Sequence, residues 1–334
     1  MAFLDVGQGD GALVLTPGGK SLLVDGGPGG AGPRVLQALR TAGVRRLDWV
    51  MGSHPHEDHI GGLNDVLAEV PAVQVLDPGY NNGTATQRKY LSLLKQCGAK
   101  VIRARAGQTY DLGAGCRLEI AAPKEPLLTG TDSDANNNSI VARLVYGRTR
   151  FLFTGDMEEK QRTHLLDSAA SGSLQADVLK VAHHGSHNGT DAPFLRAVAP
   201  QYAVISCARG NDYGHPHREA MAALRSQGCP ILRTDERGDI RFTSDGTQVR
   251  LEGGRAESPA RAAALDGGEP AQTPGSGSEG PGVPRAGQVI GNRSSRVYHQ
   301  PDCGALPDSD RRVVFESATA AQTDGYRAHR TCNR

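Results

Sequence analysis

Between the apolar run Leu47-Asp48-Trp49-Val50-Met51 and a helical pattern that starts at Leu63 lies the segment Ser53-His54-Pro55-His56-Glu57-Asp58-His59-Ile60-Gly61-Gly62. Three imidazoles and a carboxylate within six residues, at the mouth of a strand, are what a borderline metal ion requires: neutral nitrogen and anionic oxygen converging from one loop. The spacing also divides the donors. His54 and His56 can point one way while Asp58 and His59 turn to another side, so that one loop can hold two metals. Leu152-Phe153-Thr154-Gly155-Asp156 supplies a carboxylate at a second strand end, and Lys180-Val181-Ala182-His183-His184-Gly185-Ser186 supplies paired imidazoles at a third. Whatever fold this chain adopts has to gather these three ends.

The pattern around them is that of an α/β chain. Ala12–Leu15, Ser21–Val24, Leu47–Met51, Val73–Leu76, Arg117–Ala121, Ser139–Tyr146, Phe151–Thr154, Asp177–Val181 and Tyr202–Ile205 read as strands bounded by Gly, Pro, Asn or Asp. Apolar residues at three and four spacing predict helices over Arg34–Ala42, Leu63–Val70, Thr86–Cys97, Glu158–Leu166 and Arg218–Gln227. Strand follows strand in 3–24 and 101–154, so the sheets should be mixed or antiparallel in part and not purely doubly wound. Among the 334 residues, 37 basic side chains against 36 acidic ones leave a formal charge of +1, which excludes a broad basic surface for nucleic acid or an anionic membrane. No apolar run approaches the roughly 18 residues of a membrane helix, and Met1 leads into Phe3-Leu4-Asp5-Val6 without a signal-peptide pattern. As written the chain is expected in the cytoplasm, and as an exported protein if a signal once preceded it.

Three words in the order H-x-H-x-D-H, apolar-T-G-D and H-H-G-S resemble the metallo-β-lactamase fold, an αββα sandwich of hydrolases with a one- or two-metal site. Asp5-Val6-Gly7-Gln8-Gly9-Asp10, Asn136-Asn137-Asn138-Ser139 and Asn211-Asp212-Tyr213-Gly214-His215-Pro216 resemble, more narrowly, the hydrolase domain of ComEC-type DNA-uptake proteins. The resemblance covers roughly residues 1–252 and implies His54 and His56 as ligands of a first metal, Asp58 and His59 of a second, and Asp156 as the bridge. Either His183 or His184 would complete the second site, its neighbour orienting a phosphate or leaving group. Asp25, in Leu22-Leu23-Val24-Asp25-Gly26-Gly27, matches the family's carboxylate that braces the histidine loop from behind. Most members take one more histidine from a segment about twenty residues before the bridging Asp, yet this chain has none between His59 and His164. Asn138 and Ser139 stand there instead. Asn138 is expected as a weak ligand, and a first site so built should lean towards manganese or magnesium relative to an all-histidine one, with zinc still open.

Two metals about 3.5–4 Å apart would activate a shared water against a phosphoester phosphorus. Asp58, His184 and His215 are the expected catalytic residues, His215 as partner of the leaving group. Asp5, Gln8 and Asp10 belong either at the metal rim or in turns, and His187 reads as peripheral.

From 253 to 287, 14 of 35 residues are Gly or Pro, which predicts a flexible linker. Residues 288–334 recover aromatics and aliphatics, and carry His299-x3-Cys303 and His329-x2-Cys332. A unit this small needs a staple, and one structural zinc held by those four side chains would supply it. The segments around them resemble the Ada-type zinc-binding module of DNA-acting proteins. His299 stands where that module's methyl-accepting cysteine would be, so alkyl transfer is not expected. Arg293, Arg296, Arg311, Arg312 and Arg327 present either a phosphate-binding or a merely solvated face. Cys97, Cys116, Cys207 and Cys229 show no metal spacing.

The whole predicts a metal-dependent hydrolase cleaving phosphodiester bonds in DNA. Its rivals are a hydrolase of another ester or lactam (phosphorylcholine esterase, lactonase, lactam hydrolase) and a metal-bound DNA-binding accessory protein with little catalysis.

Overall fold

Leu22, Leu23 and Val24 lie in one strand, yet Leu22 and Val24 join one apolar core and Leu23 another. Trp49, Val50 and Met51 divide in the same way. Side chains that are apolar on both faces of a strand require cover on both faces, and the architecture of the computed structural model follows from it. The structure describes residues 1–170, 172–252, 289–292, 297–299, 312–315, 317–324 and 326–328.

The chain divides into two compact units, Met1–Gly267 and Gly268–Arg334. The first is a sandwich of two mixed sheets. One sheet has the order β15 (Val249–Leu251), β14 (Ile240–Ser244), β1 (Ala2–Phe3), β2 (Gly11–Leu15), β3 (Ser21–Gly26), β4 (Leu47–Met51), β5 (Ala72–Asp77), β6 (Lys100–Arg103). The other has the order β13 (Ile231–Arg233), β12 (Tyr202–Ile205), β11 (Val178–Lys180), β10 (Thr149–Phe153), β9 (Val141–Tyr146), β8 (Cys116–Ala122), β7 (Thr109–Gly113). Strands β3 to β6 and β10 to β13 pair in parallel, and β15-β14-β1-β2-β3 and β7 to β10 antiparallel. The two sheets meet over Phe3, Leu22, Met51, Leu118, Phe151, Phe153 and Phe242. Helices α1 (Gly32–Thr41), α2 (Glu57–Glu69) and α3 (Ala85–Gln96) cover the outer face of the first sheet through Val35, Leu39, Leu63, Val66 and Leu94. On the second sheet, α4 (Glu159–Ser168), α5 (Ala192–Val198) and α6 (Arg218–Gln227) do the same through Leu165, Phe194, Val198 and Leu224, and the short α7 (Thr234–Arg237) follows β13. Four layers thus enclose three apolar interfaces.

The helix expected from Leu63 begins six residues earlier, at Glu57. Gly61 and Gly62 look like a break in the pattern, but they permit a close approach. A Cβ on Gly62 would stand 2.0 Å from the carbonyl oxygen of Gly26, and one on Gly61 2.4 Å from the amide nitrogen of Gly29. Glu57 and Asp58 in the first turn suit the positive end of the helix dipole. Asp58 and His59 are therefore held on a helix, and His54 and His56 on the loop before it.

In the second unit, β16 (Val289–Asn292), β17 (Val297–His299), β18 (Arg312–Phe315) and β19 (Arg327–Ala328) form a sheet of order β18-β16-β17-β19. Helix α8 (Ala318–Thr323) is capped by the Ser317 hydroxyl, which accepts from the Ala320 amide. Val289, Tyr298, Ala321 and Tyr326 make its small core. His299 is buried at the end of β17. The expected linker 253–287, Cys303, His329, Cys332, Arg293, Arg296 and Arg311 lie outside the described residues, as does the side chain of Arg312. Among the described residues no helix is long and apolar enough to cross a membrane.

Candidate metal centre

The loops that leave β4, β10, β11 and β12, together with the turn between β1 and β2, assemble one polar site. At its middle is Asp156, whose carboxylate sorts the imidazoles by oxygen. Oδ1 lies 3.1 Å from His59 Nε2 and 3.4 Å from His184 Nε2. Oδ2 lies 3.8 Å from His54 Nε2 and 3.7 Å from His183 Nε2. Asp58 Oδ2 joins the first group, 3.2 Å from His184 Nε2 and 3.8 Å from His59 Nε2. His56 Nδ1 joins the second, 3.1 Å from His54 Nε2. His54, His59, Asp156 and His184 are buried, whereas His56, Asp58 and His183 are partly exposed and form the open side.

Supports behind these side chains fix their direction. Asp25 Oδ1 accepts from the Ser53 amide at 2.7 Å and Oδ2 lies 3.0 Å from His59 Nδ1, so the other ring nitrogen of His59 faces the centre. His184 Nδ1 sits 2.9 Å from the Ser206 carbonyl and 3.2 Å from Asp10 Oδ1. Asp10 in turn is ion-paired at 2.7 Å with Lys180 Nζ, both of them buried. His183 and His184 both take left-handed backbone, at φ 50° and 53°. Two successive non-glycine residues in that region cost on the order of 1–2 kcal/mol each, and here the strain aims both rings at one carboxylate. Gly155, at φ +49°, lets the Asp156 turn pass Ser53, whose Cβ would be 2.9 Å from any side chain there.

The electrostatics call for a cation. Burial alone would lower the pKa of His59, but Asp156, Asp58 and Asp25 outweigh it and hold the imidazole well above its ordinary value. For His184 burial is likewise overcome, chiefly by Asp156 and Asp10. Burial would raise Asp156, yet His184, His59 and His183 keep its carboxyl well below the usual range. His54 moves the other way, since burial and the neighbouring His59 lower it well below normal and leave a neutral ring with a lone pair. His59 Nε2, His184 Nε2 and Asp156 Oδ1 are buried without a hydrogen-bond partner. Each such atom costs about 1–3 kcal/mol. Together with Asp58 they offer four donor atoms within 4.8 Å of one another, so a divalent cation satisfies all of them at one point. The residues fit metal.

The family model of the Metallo-beta-lactamase superfamily matches residues 4–96 and 134–209, half of the chain. The chain belongs to the metallo-beta-lactamase superfamily. It is related in sequence to competence proteins, and its buried donor cluster is a candidate site for divalent metal. It is 33% identical over 239 residues to competence protein ComA of Neisseria gonorrhoeae, covering 71% of this chain and 31% of that one. It is 27% identical over 256 residues to ComE operon protein 3 of Bacillus subtilis (strain 168), covering 72% and 32%. The chain thus spans about a third of the length of these relatives. The metallo-beta-lactamase fold protein YhfI from Bacillus subtilis superposes with a TM-score of 0.47 at 14% identity, over 75% of this chain and 98% of that one.

Within this metallo-beta-lactamase site, one expected ligand is corrected. Asn138 does not face the centre, because its Oδ1 accepts from the Leu128 amide and its Nδ2 donates to the carbonyls of Leu128 and Asp134. Its neighbours work as scaffold. Asn136 and Asn137 donate to the two oxygens of buried Glu158, at 2.8 and 3.0 Å, and Glu158 Oε1 stands 3.4 Å from His183 Nδ1. Ser139 Oγ accepts from the Asp156 amide. His183 approaches the same Oδ2 side of Asp156 as His54, from the end of β11.

His215 is buried, with Nδ1 3.4 Å from Gln8 Nε2, and its ring centroid is 5.5 Å from that of His183. Burial and the surrounding imidazoles of His184, His183 and His217 push its pKa down to about 3, so it is a neutral ring. Gln8 also accepts from the Ala208 amide and ties the first turn to this loop. Asp5 caps its own turn, accepting from the Gly7 amide. His187 is exposed, its amide on His217 Nδ1, away from the donor set. The roles of Lys180 and Glu158 escaped sequence reading. Both are charged residues beside a motif, and only their burial separates them from ordinary surface charges.

Proposed function

We propose that this chain is a two-metal phosphodiesterase that cleaves DNA. The observation that carries the reading is the division of donors across the two oxygens of Asp156. On this reading His54, His56 and His183 would hold a first divalent ion and Asp58, His59 and His184 a second, with Asp156 contributing one oxygen to each set. With three imidazoles, the first set suits zinc as well as manganese. Bound there, the two ions supply Lewis acidity towards phosphoryl oxygens and activation of a water. The protein's own part is to hold the donors rigid through Asp25, Asp10 and Glu158 and to keep the floor of the site dry. His215, a neutral ring beside His183, offers a hydrogen bond to the leaving oxygen. Similarity to competence proteins supports DNA as the strand attacked.

The test is purified protein loaded with manganese, magnesium or zinc and offered single- and double-stranded DNA, RNA, bis-p-nitrophenyl phosphate, a phosphorylcholine ester and a lactam, beside Asp156→Ala. DNA and diester turnover that falls at least a hundredfold in Asp156→Ala is expected. Lactam turnover without phosphodiester turnover would sink the proposal. In the C-terminal unit we propose one structural zinc on His299, Cys303, His329 and Cys332, the Ada-like arrangement, as an additional DNA-contacting module.

A further inference from the structure

Among the described residues Tyr213 is the most exposed large apolar side chain, at 64%, and the one exposed ring among Phe, Tyr and Trp. Its backbone is tied into the loop. Its amide donates to Asn211 Oδ1 at 3.2 Å, and its carbonyl lies 3.0 Å from His217 Nε2. The same Asn211 binds the amide and carbonyl of His215, closing the loop on itself. The ring of Tyr213 lies 5.6 Å from that of His215 with planes 20° apart, and His215 is 5.5 Å from His183 and 6.0 Å from His184. A flat, solvent-facing ring, backed by a buried imidazole, therefore stands one ring away from the donor cluster.

From this we infer that Tyr213 is a stacking platform for an unpaired nucleobase adjoining the scissile phosphate, which makes single-stranded DNA the preferred substrate. The inference rests on the phosphodiesterase reading and narrows its substrate. A tyrosine ring has only two side-chain torsions to lose when a base lands on it, and every base has a face to offer, so the platform favours single strands without reading sequence. Bases of a duplex are covered on both faces by their neighbours and have to be unstacked first. An alkylammonium headgroup is the other ligand a tyrosine face attracts, but recognition of such a cation uses a cage of several rings, and no second exposed Phe, Tyr or Trp is present among the described residues.

The experiment compares wild type, Tyr213→Ala and Tyr213→Trp in the metal-loaded full chain, on a single-stranded oligonucleotide and on a set of the same strand with one abasic position moved along it. Cleavage sites and kcat/KM are read by gel, and binding of the uncut strand by anisotropy with calcium. Wild type should lose about 5- to 100-fold in kcat/KM when one position next to the cut lacks its base. Tyr213→Ala should abolish that discrimination, and Tyr213→Trp should keep it. Cleavage by wild type that ignores the abasic position, or discrimination that survives in Tyr213→Ala, overturns the stacking platform and leaves the nuclease reading standing. Absence of both cleavage and binding of every strand by wild type overturns the two together.

Discussion

His183 lies on the Oδ2 side of Asp156 with its other nitrogen facing Glu158, and Glu158 is held by Asn136 and Asn137. Removing such a support behind a ligand typically costs 10- to 100-fold in metal affinity. Glu158→Ala is therefore expected to weaken one of two metal equivalents by about that factor and to spare the other, as measured by competition with a chromophoric chelator. Lys180 makes a second case. Its ammonium is buried against Asp10 and donates to the Val181 carbonyl. Lys180→Met takes the ammonium away from the buried Asp10 carboxylate and leaves only His184 Nδ1 beside it, which costs about 3–5 kcal/mol in denaturant unfolding. Pairing it with Asp10→Asn should return part of that loss, since the buried negative charge is gone. The candidate donors of H-x-H-x-D-H stood out in the sequence because their chemistry is unusual in a loop. The scaffold roles of Asn136, Asn137, Asn138 and Glu158 did not, because an amide or a carboxylate looks the same in sequence whether it faces a metal or props up a neighbour.

Helix α2 carries Asp58 and His59, and its position depends on the glycines beneath it. A methyl group at Gly62 would meet the Gly26 carbonyl at 2.0 Å, backbone that cannot swing aside. Gly62→Ala should cost about 3 kcal/mol or more and disturb metal binding. Gly43→Ala, at φ +70° with nothing within 4 Å, should cost about 1–2 kcal/mol from backbone strain alone and leave metal binding as it was. Chemical denaturation and metal titration of both variants check the contrast. Among the elements, strands with apolar residues on both faces, such as Leu47–Met51 and Tyr202–Ile205, were legible to the residue. Lys100–Arg103, largely exposed at the sheet edge, was not, because its pairing with β5 and not its own hydrophobicity makes it a strand. For Ala2–Phe3 it was one of its two pairings that stayed hidden, with Ala2 facing Arg241 and Phe3 facing Ile240, residues from the far end of the sandwich in sequence.

In the sandwich as a whole, buried carboxylates and imidazoles face one another where a cation belongs, so metal should contribute to folding. At a hundredfold excess over its Kd a bound ion adds about 2.7 kcal/mol. Chelation followed by calorimetry should lower the Tm of the sandwich by roughly 5–10 °C, and Asp156→Ala should show no such difference. In the C-terminal unit, Cys303→Ser with Cys332→Ser should abolish one zinc equivalent and leave residues 288–334 open to protease. Unchanged zinc content and protease resistance would remove the zinc module. Local sequence, through alternation, glycine and the chemistry of histidine and aspartate, carried the α/β class, its mixed sheets and the three strand ends that hold the donors, and the sandwich came from the resemblance of those motifs to a family. Those properties depend on residues near one another in the chain. The assignment of His183 and His184 to opposite oxygens of one carboxylate, the retirement of Asn138 to scaffold, the buried Lys180–Asp10 pair and the exposed face of Tyr213 came from packing. Each depends on the direction of a side chain relative to residues from another sheet or loop, and direction across a core is set by the fold, not by the neighbours in sequence.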